Sequence, residues 1–201
     1  MDILHSLSAF GLSTLAVAVA EIGDKTQLLA LLLAARFRKP WPIIAGILVA
    51  TLLNHAIAAS FGAWVVHWLS PEVLRWIVAG SFLAVALWAL KPDKLDPEGQ
   101  HLSERGVLQP GWRQAFAATT IAFFLAEIGD KTQVATVLLA AKYSPLWQVI
   151  AGTTVGMLLA NVPVVALGHR FADRLPLTGA RIAAAALFAL LAIWVALRGG
   201  A

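Results

Sequence analysis

Two stretches of this chain carry side chains that could do chemistry together. Residues 20–27 read "AEIGDKTQ", and the same eight letters return unchanged at 126–133. Each copy supplies two carboxylates (Glu21 and Asp24; Glu127 and Asp130), an ammonium group (Lys25; Lys131), a hydroxyl (Thr26; Thr132) and a carboxamide (Gln27; Gln133). Together the four carboxylates and two lysines leave a formal charge of −2 if all are ionised, which one divalent cation would match. Oxygen donors in a chain without cysteine suit Ca²⁺, Mn²⁺ or Mg²⁺ better than Zn²⁺ or Cu⁺. One proton and a monovalent ion reach the same balance. Carboxylates crowded at an occluded site can also take up protons, because desolvation and like charges both penalise the ionised form.

The setting makes those groups informative. The chain has 201 residues, of which 60% are hydrophobic and only 13% charged. Soluble domains carry roughly 25% charged residues, so this composition points to an integral membrane protein. A charge at the centre of a membrane span costs at least about 2.5 kcal/mol on insertion scales, so both copies should face a protein-lined or watery interior. A single Glu-Lys pair could serve as packing glue. Two identical copies are more than stability requires.

Spans of about 20 apolar residues number six. They run over approximately 7–35 (interrupted by the motif), 42–69, 72–90, 113–141, 146–168 and 178–198. The Ala/Leu-rich runs show no β alternation and favour helices. Prolines mark the short breaks "RFRKPWP", "LSPE" and "KYSPL". No Lys or Arg precedes the first apolar stretch and no cleavage site is evident, so the first helix is expected to be retained.

The chain divides into a first repeat (1–90), a polar linker (91–112) and a second repeat (113–201), expected to act as one transport domain. At a constant offset of 106, Ser13-Thr14 falls on Thr119-Thr120, Ala45-Gly46 on Ala151-Gly152, Gly62 on Gly168, Arg75 on Arg181 and Trp88 on Trp194. Such matching indicates internal duplication. Three helices per unit oblige the second copy to enter from the opposite side. The expected fold is therefore an all-α membrane protein with six transmembrane helices as two inverted three-helix repeats. If the 1–2, 3–4 and 5–6 connections share one side, that side holds ten Lys and Arg residues, against Arg75, Lys142 and Arg198 on the other. By the positive-inside rule both termini face outward and the linker is cytoplasmic.

Treated as one continuous helix, Glu21, Asp24 and Lys25 fall within roughly a 100° arc, with Thr14 two turns earlier on the same face and Gln27 beside it. Lys25 is then placed for an i,i+4 pair with Glu21. Gly23 and Gly129 weaken the helix, and an opened turn would free carbonyls as further ligands. Asn54 and His55 lie midway along the second span, and the offset sets His55 over Asn161. These can complete a coordination shell or join helices by hydrogen bonds. Pro163 should kink its helix. His67, His101 and His169 read as solvated, Trp41, Trp68, Trp112 and Trp147 as interfacial, and Gly46, Gly62, Gly152, Gly156 and Gly168 as packing residues.

Two copies of E-φ-G-D-[KR]-[ST] resemble the signature of the GDT-type transporter family, which includes Golgi Ca²⁺/Mn²⁺ transporters and bacterial manganese exporters and is similar to the wider cation/Ca²⁺ exchanger group. Both copies match at every position, and the resemblance spans essentially the whole chain. It implies secondary transport of Mn²⁺ or Ca²⁺, in exchange for protons, with Glu21, Asp24, Glu127 and Asp130 binding the cation. Thr26, Gln27, Thr132, Gln133, Asn54, His55 and Asn161 are candidate additional ligands or supports, and Lys25 and Lys131 balance charge. The short two-repeat length resembles the prokaryotic members, for which Mn²⁺ export across the cytoplasmic (inner) membrane is the expected task. His55 is a candidate nitrogen ligand that would favour Mn²⁺. No cofactor beyond the transported ion is expected. The expected partners are metal, protons and the lipid bilayer, not nucleic acid, and glycine-lined faces offer a surface for a homodimer. A cation channel and an exporter of basic amino acids are the rival readings. An enzyme is not expected, since Ser-His, Cys-His and H-E-x-x-H arrangements are missing.

Overall fold

The computed structural model describes residues 3–91, 111–167 and 177–198. Most of the linker, with its mixed charges and His101, lies outside the described residues, as do Gly168 and His169. The described chain is all-helical, with eight α-helices, a single 3₁₀ turn and no strand among the described residues. They are α1 (Ile3–Glu21), α2 (Lys25–Phe37), α3 (Pro40–Val65), α4 (Pro71–Ala89), α5 (Trp112–Glu127), α6 (Lys131–Lys142), α7 (Leu146–Leu167) and α8 (Leu177–Arg198).

Local sequence explains most boundaries. Pro40 and Pro71 open α3 and α4, where a missing amide proton costs nothing. The Ser70 hydroxyl accepts from the Val73 amide at 3.4 Å. Arg38 ends α2 in a left-handed conformation at φ 51°. Pro163 lies inside α7, which continues past it to Leu167.

Among the described residues, three segments are long and apolar enough to cross a membrane: Pro40–Trp68, Pro71–Ala89 and Leu146–Leu167. Ala9–Glu21 and Arg181–Leu197 are shorter apolar helices. The stretches 7–35 and 113–141 are each two helices parted by the motif, α1 with α2 and α5 with α6. The single-helix arc drawn through Glu21, Asp24 and Lys25 therefore does not exist. Gly23 and Gly129 adopt φ +79° and +73°, a region side chains resist, and the chain re-enters helix at Lys25 and Lys131.

The repeats exchange their helices in packing. α1 packs on α7, and its repeat counterpart α5 packs on α3, while α4 packs on α8. Close approaches repeat at the same offset. A Cβ on Gly46 would meet the Phe116 carbonyl oxygen at 2.9 Å, and one on Gly152 would meet the Phe10 carbonyl oxygen at 2.5 Å. The packing role assigned to those glycines holds at these two positions and at Gly62 and Gly156, whose added Cβ would strike the Val137 and Thr14 carbonyl oxygens. Phe82 and Phe188 stack at 6.2 Å across the α4–α8 contact, and Leu29, Leu33, Ile43, Ile47 and Phe123 fill the other core.

Candidate functional site

The two breaks bring two helix beginnings to one buried place. Asp24 and Asp130 take the N-cap positions of α2 and α6, with φ/ψ of −80°/166° and −79°/164°. The positive ends of both helices thus face the carboxylates. Asp130 also accepts from the Thr132 amide at 3.3 Å. Glu21 and Glu127 end the helices that lead in, α1 and α5. Glu21, Asp24, Glu127 and Asp130 are all buried, and Lys131 is only 3% exposed.

One oxygen each from Glu21, Asp24 and Asp130 lies within 4.8 Å of the others, close enough to share a metal ion. Residues from both repeats contribute to that group. Glu127 stands outside it, though near enough to feel the charges of Glu21, Asp130 and Asp24. Thr26 donates to Glu21 Oε2 at 2.6 Å, and Thr132 to Glu127 Oε2 at 3.0 Å. The other oxygens, Glu21 Oε1 and Glu127 Oε1, are buried with no hydrogen-bond partner among the described residues. Buried polar atoms are otherwise almost always partnered.

The lysines reach across the repeat boundary. Lys131 Nζ lies 3.0 Å from Asp24 Oδ1, and Lys25 Nζ 3.5 Å from Asp130 Oδ1. The Glu21–Lys25 helical pair expected from spacing is replaced by this crossed arrangement, because the break at Gly23 separates the two residues. At each opened turn the glutamate carbonyl already accepts one backbone bond. Asp24 N donates to the Glu21 carbonyl and Asp130 N to the Glu127 carbonyl, each at 3.1 Å.

The glutamines brace the turns. Gln27 Oε1 accepts from Gly23 N at 2.9 Å, and Gln133 Oε1 from Gly129 N at 2.7 Å. Their amide nitrogens then bridge the repeats, Gln27 to the Ala160 carbonyl at 3.0 Å and Gln133 to Asn54 Oδ1 at 3.4 Å. Asn54 donates to the Phe124 carbonyl at 3.0 Å, which ties α3 to α5. His55 is fully buried, with neither ring nitrogen bonded to a described residue. Asn161 donates to Met157 of its own helix at 3.1 Å. Neither His55 nor Asn161 makes a hydrogen bond to the motif. Thr14 and Thr120 likewise turn back to their own helices, on the Phe10 and Phe116 carbonyls at 2.9 Å. The crossed lysine pairs went unread in the sequence. Their signal lay in the duplication itself, since two equivalent motifs about a common centre offer each lysine the other copy's aspartate.

The sequence matches the family model described as "Divalent cation/proton antiporter GDT1" over residues 9–97 and 115–201. A Vibrio cholerae protein named "Putative manganese exporter" is 55% identical over 190 residues, covering 94% of this chain and 90% of that protein. A GDT1-like protein of Synechocystis is 28% identical over 205 residues, covering 93% of this chain and 96% of that protein. GDT1-like protein 5 of Arabidopsis thaliana is 26% identical over 195 residues, covering 79% of this chain and 82% of that protein. No solved structure matches. Two matched segments that each contain one buried acidic motif leave a single assignment: the chain belongs to the GDT1 family of divalent cation/proton antiporters, membrane transporters rather than enzymes.

Proposed function

We propose that this protein exports a divalent cation, Mn²⁺ first and Ca²⁺ second, from the cytoplasm in exchange for protons. The observation that carries the reading is the convergence of Glu21, Asp24 and Asp130 oxygens within 4.8 Å, drawn from both repeats. The 55% identity to a relative whose name points to manganese favours Mn²⁺. Glu127 completes the acidic set, Thr26 and Thr132 orient the glutamates, and Gln27, Gln133 and Asn54 brace the turns. His55 and Asn161, buried on α3 and α7, are reserve ligands on a rearranged site.

Electrostatics supports exchange. Four carboxylates and two lysines leave a deficit that one divalent cation or two protons would neutralise. Buried charge without compensation costs several kcal/mol, so neither occupant leaves readily without the other arriving. With the metal gone, Lys25 and Lys131 each neutralise the aspartate of the other motif copy. Reciprocal packing of α1 on α7 and α5 on α3 suits alternating access, in which one repeat rocks against the other. In this reading the repeats are inverted and six spans cross the cytoplasmic membrane, with α1–α2 and α5–α6 counted as broken spans. Lys and Arg distribution puts both termini outside and the linker inside.

Metal uptake into proteoliposomes, with and without an imposed pH gradient, tests this directly. Gradient-driven Mn²⁺ flux in the wild type, lost in Asp24→Asn, is the expected result. Flux indifferent to pH would replace exchange by a channel, and absence of metal flux would discard the cation assignment.

A further inference from the structure

Far from the acidic centre, α4, α6 and α8 enclose a cavity of about 230 Å³ near their ends. Two cations line it, Arg75 in the second turn of α4 and Lys142 at the last residue of α6, with Pro71 and Val195 among its apolar walls. No carboxylate lines it. Arg75 Nε is buried without a hydrogen-bond partner among the described residues. Both cations lie over aromatic rings instead, Arg75 at 5.0 Å from the Trp76 centroid and Lys142 at 5.4 Å from that of Trp194. Two like charges facing one polar cavity repel each other, and a guanidinium donor left unmatched there invites an anion.

Charge distribution sharpens the point. Arg75 and Lys142 are two of only three Lys or Arg residues outside the motifs on the side that the topology proposed here leaves poor in cations. Orientation does not call for them there, so another task must. Along the same α4–α8 pair lies an apolar groove of about 300 Å³, lined by Trp76, Gly80, Leu83, Ala189 and Ile193. Trp76 links the two features, since its ring carries the Arg75 guanidinium. A phosphate between Arg75 and Lys142 with an acyl chain along that groove would fit both.

The geometry points to a binding site for the phosphate of an anionic membrane lipid, held by Arg75 and Lys142. An anionic headgroup relieves the cation–cation repulsion and bonds the guanidinium, as basic pockets between membrane helices do elsewhere. Because α6 carries the second motif at its other end, a lipid here would tie that helix to one helix from each repeat.

Native mass spectrometry of the full chain, after incubation with phosphatidylglycerol, phosphatidylcholine or inorganic phosphate, tests the site. Wild type should retain phosphatidylglycerol in preference to phosphatidylcholine. The double variant Arg75→Gln/Lys142→Gln should retain it about thirtyfold less, taking each cation at its usual worth beside an anionic surface. Arg113→Gln, which removes an exposed cation outside the cavity, should change nothing. If the double variant does not elute as the wild type does, Lys142→Gln alone carries the test, with about fivefold loss expected. Unchanged retention in a folded variant, or equal retention of the two lipids, would overturn the site. Displacement by millimolar inorganic phosphate would overturn the lipid as its source.

Discussion

The two octapeptides are identical in sequence and nearly so in backbone, yet they are not equally enclosed. Lys131 has 4% of its side chain exposed and lies 3.0 Å from Asp24. Its counterpart Lys25 has 15% exposed and lies 3.5 Å from Asp130. At the turns the contrast reverses repeats, for Gly23 is half-buried while Gly129 is exposed. Identical residues therefore fix the break, the caps and the brace, and the facing helices decide how tightly each pair closes. In the alternating-access reading proposed above, such unequal closure of equivalent pairs is how one access state would differ from another.

Removing one aspartate at a time tests that inequality most severely. Asp24→Asn and Asp130→Asn should both abolish proton-driven metal uptake. Their stabilities should part company. Breaking a buried ion pair from one side costs about 3–5 kcal/mol, and Asp24→Asn belongs at the upper end because Lys131 is so enclosed. Asp130→Asn should cost less, since Lys25 can extend its ammonium toward water. Thermal unfolding in detergent reads the difference. Equal shifts would mean that the two pairs are energetically alike and that the distances carry no information about state.

A backbone substitution comes next in size. An alanine Cβ at Gly129 would meet nothing within 4 Å, so Gly129→Ala isolates the left-handed φ of +73°. It should cost about 1–2 kcal/mol and slow transport several-fold as the break resists its shape. Gly23→Ala adds a half-buried setting to the same strain and should be worse. A milder effect at Gly23 would show that backbone conformation alone, not enclosure, governs the turns.

Helical class and the burial of both acidic motifs were legible because they rest on residue identity and spacing. Eight repeated letters in apolar surroundings require a protected interior whatever the fold. Prolines 40 and 71 marked breaks between spans, and each proves to be the first residue of the helix that follows. What spacing misjudged was continuity. A helical wheel assumes unbroken rotation, and Gly23 at φ +79° cancels it between Glu21 and Asp24. Ion pairing went astray for the same reason, since the partner of Lys25 lies 105 residues away at Asp130 rather than four residues back. Nothing in either copy read alone specifies such a partner. It becomes readable only when both copies are placed about one centre. His55 shows the converse limit: its burial follows from its span, but what faces it does not follow from sequence.

The smallest test addresses where the two surroundings differ in identity. Position 54 holds Asn and its repeat counterpart, position 160, holds Ala. Gln133 meets the Asn54 side chain at 3.4 Å, whereas Gln27 meets the Ala160 backbone carbonyl at 3.0 Å. Asn54→Ala makes the first repeat resemble the second at this point and removes the link from α3 to the Phe124 carbonyl. Side-chain hydrogen bonds inside membranes average about 0.6 kcal/mol, so the loss of stability should be modest. Its effect on exchange is more telling. If Asn54 and Gln133 hold the second turn in its present enclosure, the variant should shift the Mn²⁺ concentration for half-maximal uptake about twofold to threefold while maximal rate changes less. An unchanged half-maximal concentration would remove Asn54 from the machinery that sets the two pairs apart, and the asymmetry would then have to arise from packing of the long helices alone.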